Sequence, residues 1–278
     1  MGSFKVLALA GAAVVSMIPA AQAADLPPMI QRPLPVMEQH EGFAPGWYLR
    51  GDIGITNQHV DSLFNDLYST AGTVTNLAKD FDSSPLFGVG LGYRFNDWLR
   101  FDVTGEYRSK ASFRGLDVYT PEPNSPTGVG ADDYYATKSE TVVLANLYLE
   151  LGSWANIRPF IGAGVGGAYN KISNFRDINV PTGGVAYADA DGKWNFAWAV
   201  HAGVAYDVTP GFTVELAYRY LNLGDAQSGD LITYNGISTV VNPMYFRDID
   251  SHDVKLGVRW MLNHPQQPFY PEPLMRKG

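Results

Sequence analysis

Ser251 and His252 stand side by side, and a serine beside a histidine is the minimal kit for nucleophilic catalysis. The pair fails on geometry. Both fall in a stretch that alternates polar and apolar residues, and neighbours on a strand point to opposite faces. His201 lies mid-segment on a polar face, where an imidazole serves as a hydrogen-bonded interior group. The five histidines (His40, His59, His201, His252, His264) are scattered and cysteine is absent. No His-x-x-x-His zinc pair, thiolate or disulfide can form. Asp189-Ala190-Asp191-Gly192 resembles the start of a calcium loop, but an EF-hand needs a third ligand before its glycine and a glutamate at position 12. Neither is present, so the segment reads as a polar loop tip. Asp248 and Asp250 read as a solvated loop–strand boundary. These residues predict no enzyme, no cofactor and no assigned metal site.

A larger constellation is made of charges. Arg50, Arg94, Arg100, Arg108, Arg219, Lys255 and Arg259 are seven cations on the polar sides of alternating segments; Asp52, Asp102, Glu106, Glu150, Asp207, Glu215 and Asp253 are seven carboxylates on the same sides. Such a set either lines a charged channel or plugs itself with mutual ion pairs. Buried charges must be paired or they become very costly. An equal count in a narrow interior favours the plug.

The elements that would carry these charges follow from the rest of the chain. It has 278 residues, 20 Lys+Arg against 28 Asp+Glu, and a formal net charge of -8. Charged residues make up 17%, aromatics 13%, and glycines number 29; the charged fraction is below the usual quarter. A net-acidic chain without basic blocks is a poor nucleic-acid binder. Eight segments alternate with period two: about 47–56, 87–95, 99–108, 143–151, 161–169, 194–207, 212–220 and 253–262. The helical period is absent from them. In the longest, Trp194, Phe196, Trp198, Val200, Ala202, Val204 and Tyr206 oppose Asn195, His201, Gly203 and Asp207.

Alternation alone does not say which face is inside. An eight-stranded barrel has an interior just wide enough for its side chains. The face crowded with Trp, Phe, Tyr and Leu is too bulky for it, whereas the glycine-rich polar face fits. Connections also alternate: Asn96-Asp97, Gly152 to Asn156 and Thr209-Pro210-Gly211 are tight turns, and 58–84, 109–140, 171–193 and 223–250 are long loops. Short periplasmic turns and long outer loops mark outer-membrane barrels. Apolar-face aromatics gather at the strand ends. Trp47, Phe95, Phe101, Tyr206, Phe212 and Trp260 fall near the turns; Tyr107, Tyr169, Trp194, Phe196, Tyr218 and Tyr220 fall near the loops. Those are two interfacial girdles. The expectation is an all-β, eight-stranded antiparallel up-and-down transmembrane β-barrel with four long extracellular loops, its apolar face toward lipid.

The ends read differently. Residues 1–23 form a secretory signal, with Lys5, an apolar run from Val6 to Ile18 and a small-x-small site at Ala21-Gln22-Ala23. That run is too short to span a bilayer as a helix. Residues 24–45 are a Pro-rich leader, 46–262 the barrel and 263–278 a Pro-rich tail.

The segments GWYLRGDIG (46–54), RPFIGAGVGGAY (158–169) and ELAYRYLNLG (215–224) resemble the porin-family surface antigens of α-proteobacteria. These are small outer-membrane barrels similar to the OmpA transmembrane domain, and the mature start ADLPP also looks like theirs. The resemblance implies an abundant outer-membrane surface protein of a Gram-negative bacterium that contacts outer-membrane lipid and lipopolysaccharide and supports the envelope. It leaves a narrow porin for small solutes and a lipid-modifying enzyme as alternatives, and an extracellular ligand held by the loops as a further partner. The family's last strand ends in a terminal aromatic. Here Trp260-Met261-Leu262 is followed by sixteen more residues.

Overall fold

The computed structural model describes residues 45–262 apart from 70–71, 121 and 123–124. The export signal, the leader and the C-terminal tail lie outside the described residues. The strands, in chain order, are β1 (Gly46–Phe64), β2 (Thr73–Phe81), β3 (Ser84–Arg94), β4 (Leu99–Thr120), β5 (Gly130–Glu150), β6 (Ile157–Asn179), β7 (Val185–Ala188), β8 (Asp191–Thr209), β9 (Phe212–Gln227), β10 (Leu231–Thr233) and β11 (Tyr245–Met261). Eight of them close an antiparallel ring in the order β1, β3, β4, β5, β6, β8, β9, β11 and back to β1. Closure removes the exposed strand edges that a bilayer cannot tolerate.

The register fixes the bore. Followed from Leu49 through Leu91, Val103, Ala145, Val165, Trp198, Asn222 and Asp250, the pairing returns to β1 at His59, ten residues along the strand. A stagger of this order tilts the strands by roughly 40° and leaves an interior that side chains can fill. Glycine on the inner face makes that filling possible: a Cβ on Gly92 would lie 2.3 Å from the Tyr48 ring.

One end turns tightly. Between β3 and β4 the Asn96 Oδ1 accepts hydrogen bonds from the amides of Trp98 (3.0 Å) and Leu99 (2.8 Å). Between β5 and β6 Gly152, Ala155 and Asn156 all take positive φ. Pro210-Gly211 links β8 to β9, with Thr209 opposite Phe212.

At the opposite end the long connections are themselves partly strand. Much of 58–84, 109–140, 171–193 and 223–250 is strand: β4 runs on to Thr120, β5 starts at Gly130 and β6 reaches Asn179. β2 continues the line of β3 along β4, and β7 continues that of β8 along β6. The reason is local. In β4 the inward residues are even-numbered up to Arg108 and odd-numbered from Ala111, with the register broken between them. In β6 they pass from Ile172 to Phe175 around Asn174 (φ 53°), and in β11 from Phe246 to Ile249 around Asp248 (φ 52°). An extra residue reverses which face each later side chain takes. A fixed period of two therefore loses these strands where they leave the bilayer.

The lumen as candidate functional site

All fourteen charged residues singled out in the sequence are buried inside the ring. Their side chains point inward because each occupies an even or odd position of a strand whose other parity carries lipid-facing Val, Leu and aromatic residues. The Arg219 guanidinium forks onto Glu106, donating from Nη1 to Oε1 at 2.8 Å and from Nη2 to Oε2 at 2.6 Å, while its Nε donates to Asp253 at 2.8 Å. Lys255 donates to Glu106 at 2.5 Å. Arg108 joins Asp253 (2.8 Å) to Glu140 (2.7 Å). Arg50 joins Asp52 (2.8 Å) to Asp102 (2.7 Å). Nearer the tight turns, Glu150 meets Arg94 (3.1 Å), Arg100 (3.1 Å) and Arg158 (2.9 Å). Glu215 meets Arg100 (3.1 Å) and Arg259 (2.7 Å), and Asp207 meets Arg158 (2.6 Å).

Three members of this network escaped the sequence reading. Lys138 and Glu140 lie within 109–140, outside the alternating segments, and Arg158 precedes Pro159 at the start of its strand. Lys138 pairs with Glu140, and its Nζ also donates to Gln58 at 2.7 Å. With them the lumen holds nine cationic side chains against eight carboxylates, each cation within ion-pairing distance of a carboxylate. Among the other described lumen polar groups, the Ser84 Oγ and the Asn170 Oδ1 have no hydrogen-bond partner, while Arg100, His201 and Asn146 are held in the network. The Arg100 guanidinium lies 3.8 Å from the centre of the Tyr148 ring. His201 contacts Asn146 at 3.2 Å, and Asn146 donates to Asp102 at 2.9 Å.

Above the charges sits a second layer, which is apolar. Phe81, Phe113, Phe175 and Phe246 interlock with ring centroids 4.9 to 6.3 Å apart. Val60, Ile172, Leu221, Leu223, Met244 and Ile249 complete the cluster. Arg108, Arg219, Phe113, Lys138, Phe175 and Phe246 are among the largest fully buried side chains of the protein. One layer fills the inside of the ring with ion pairs and the next with hydrocarbon.

Beyond the loop-side aromatics, inward carboxylates collect at the outer end. Tyr68 and Asn76 donate to Asp117, and Asn179 donates to Asp132 at 3.0 Å. Burial, aided by Asp132 and Asp117, pushes the Asp177 carboxyl up to about 8. Burial first, opposed by the Asn179 hydrogen bond and reinforced by Asp117 and Glu122, raises Asp132 to about 6. Asp117 is raised by burial as well.

The residues considered for chemistry are kept apart. Ser251 is buried and bonded to Asp253 at 2.5 Å, whereas His252 is on the outer face with its Nδ1 2.5 Å from the Tyr218 hydroxyl. Asp191 accepts from Gln227 at 2.6 Å, and among the described residues no cluster of three or more His, Cys, Asp or Glu could hold a metal ion. On the outside, Trp47, Phe95, Phe101, Tyr206, Phe212 and Trp260 ring the turn end. Tyr107, Tyr169, Trp194, Phe196, Tyr218 and Tyr220 lie toward the other. Between them Val89, Leu91, Val103, Leu147, Val165, Val204, Leu216 and Leu256 are exposed, Val89 by 70%. A ring with hydrocarbon outside and ion pairs inside is built for lipid.

The outer membrane protein beta-barrel domain family matches residues 10–261. The chain belongs to that family. As an outer-membrane β-barrel it is placed in the outer membrane of a Gram-negative bacterium. An uncharacterized protein of Brucella suis biovar 1 (strain 1330) is 31% identical over 89% of this chain and 94% of its own length. A candidate adhesin of Rickettsia rickettsii (strain Sheila Smith) is 26% identical over 79% of this chain and 89% of its own. Among solved structures, the barrel is similar to Neisserial surface protein A, with a TM-score of 0.42 and 16% identity over 79% of this chain and 99% of that one.

Proposed function

We propose that this outer-membrane barrel is a structural, non-enzymatic protein that supports envelope integrity and presents its extended hairpins at the cell surface. The observation that carries the reading is the doubly closed lumen, in which an ion-pair layer lies beneath an apolar one. A narrow porin would need a continuous water path past Arg108, Arg219, Phe113 and Phe246, all fully buried. A lipid-modifying enzyme would need a nucleophile and base on one face, which Ser251 and His252 are not. The partners are outer-membrane lipid and lipopolysaccharide around the apolar band, with no role for nucleic acid. Export removes residues 1–23, and the mature chain starts at Ala24.

A deletion strain tests this. It should leak periplasmic enzyme and become sensitive to bile-salt detergent, with unchanged lipid A by mass spectrometry. Normal detergent resistance would contradict the structural reading, and altered lipid A would favour the enzyme.

A second reading, surface adhesion, draws on the names of the Rickettsia relatives and on the outermost connection, where Tyr234, Ile237, Val240 and Val241 are exposed by 52 to 77%. Large exposed apolar patches mark interaction sites. Replacing all four by serine should abolish attachment of expressing cells to host cells if this reading holds, and leave it unchanged if it does not.

A further inference from the structure

On the outer wall of β4, β5 and β6, just past the loop-side aromatics, a groove of about 480 Å³ is lined by Lys110, Lys171, Ser139, Thr141, Tyr107 and Tyr169 among others. Its construction follows from register. Tyr107, Thr141 and Tyr169 form one cross-strand row. In the next row outward Ser139 stands opposite Lys171, and Lys110 occupies the bulge between Arg108 and Ala111. The two lysines are on strands two apart, so their Cα atoms are separated by roughly 10 Å, and flexible four-carbon stems can bring both ammoniums onto one anion.

Both lysines are exposed, and among the described residues neither has a carboxylate within ion-pairing distance. Glu140 borders the groove, but its carboxylate is turned inward onto Arg108 and Lys138. The groove therefore presents two uncommitted cations with two side-chain hydroxyl donors, Ser139 and Thr141, while the third hydroxyl, Ser173, already donates to the Thr137 carbonyl at 3.3 Å. Charge-assisted bonds of this type suit a phosphate.

The wall immediately below selects the rest of the ligand. One row toward the bilayer centre lie Gly105, Val143 and Gly167, and the row beneath is Val103, Ala145 and Val165. Gly105 is exposed, and a Cβ built on it meets nothing within 4 Å. A shallow, smooth trough thus runs from the phosphate-sized groove down the lipid face, between the projecting Tyr107 and Tyr169 rings. Hydrocarbon chains can lie in it.

We propose that this groove and trough form a binding site for a phosphorylated amphiphile of the outer leaflet. Lys110 and Lys171 grip the phosphate, and an acyl chain rests over Gly105 and Val143, with the Trp194 ring against Gly167 as the edge of the trough. The inference rests on the reading that this barrel contacts outer-membrane lipid, and it names the place.

The test uses mature full-length protein refolded in lipid-free detergent, with native mass spectrometry against bisphosphorylated lipid A, fully dephosphorylated lipid A and inorganic phosphate. Lys110→Gln with Lys171→Gln should weaken binding of the bisphosphorylated lipid about tenfold or more, and Lys110→Arg with Lys171→Arg should retain it. Gly105→Leu, which has room for its side chain, should weaken the same lipid although both lysines remain. Dephosphorylated lipid A should bind wild type and the double glutamine variant alike. Equal affinity of wild type and the glutamine variant for bisphosphorylated lipid A would overturn the site while leaving the envelope reading intact. Displacement of the lipid by millimolar inorganic phosphate, with Gly105→Leu silent, would make it a free-anion site and also overturn the proposal. A wild type that binds neither lipid would remove both the site and the lipid-contact reading. Heat-modifiable migration on gels confirms that each variant is folded.

Discussion

Arg219 gives the sharpest perturbation of the lumen. It bridges Glu106 and Asp253 with all bonds between 2.6 and 2.8 Å and is fully buried. Replacing it with methionine keeps most of the volume but leaves two carboxylates short of a partner. Glu106 retains Lys255, and Asp253 retains Arg108, so neither is stranded alone. Breaking one partner of a buried pair costs about 3–5 kcal/mol, and the surviving partners place Arg219→Met near the lower end, about 3 kcal/mol. Adding Glu106→Gln removes one of the excess charges, so the double variant should recover part of that loss. The expected coupling is about 1–2 kcal/mol, within the range for residues in one network. Urea unfolding in lipid vesicles, followed by tryptophan emission and gel mobility, measures all corners of the cycle. If Arg219→Met leaves the urea midpoint unchanged, or if the two substitutions simply add, the lumen is not held by pairing and the reasoning fails.

Three other outcomes follow from the same architecture. Val204→Arg, on the exposed apolar band, should cost about 2–4 kcal/mol by the depth-dependent penalty for barrels, and an unchanged midpoint would mean that this face does not meet lipid. Tyr234→Cys should react with an impermeant maleimide on whole cells, whereas Asn96→Cys and Pro210→Cys should react only after lysis; the reverse would invert the topology. The outer-end carboxylates set a pH dependence. Because Asp177 titrates near 8 in the fold and about 3.9 when unfolded, its proton-linked stability is full below about pH 4 and is lost as pH rises through about 8. Amide exchange in β5 and β6 near Asp132 and Asp177 should therefore quicken between pH 5 and about 8.5 beyond its intrinsic rise, and Asp177→Asn should remove that excess.

Much of the barrel was legible because its sequence signals reinforce one another. In β8 a run of outward aromatics and valines opposes His201, Gly203 and Asp207, and the Pro210-Gly211 turn follows where the alternation ends. The apolar layer was not legible, for a physical reason. Phe113, Phe175 and Ile249 point inward only because bulges at 109–110, at Asn174 and at Asp248 reverse the phase of their strands. Read at constant period, those residues scatter over both faces and the stretch passes for loop. Lys138 and Glu140 were lost with them. The lysine groove was equally hidden, since Lys110 and Lys171 lie 61 positions apart and only the pairing of β4, β5 and β6 makes them neighbours.

The central claim is that the bore is closed twice, and conductance tests it most directly. Purified, refolded wild-type protein in planar lipid bilayers at neutral pH and high potassium chloride should show no steady single-channel current. Phe113→Ala with Phe246→Ala, which thins the apolar layer, should stay silent while the ion-pair layer beneath remains. Large, reproducible openings of the wild-type protein would contradict the closed lumen and put the porin reading in its place.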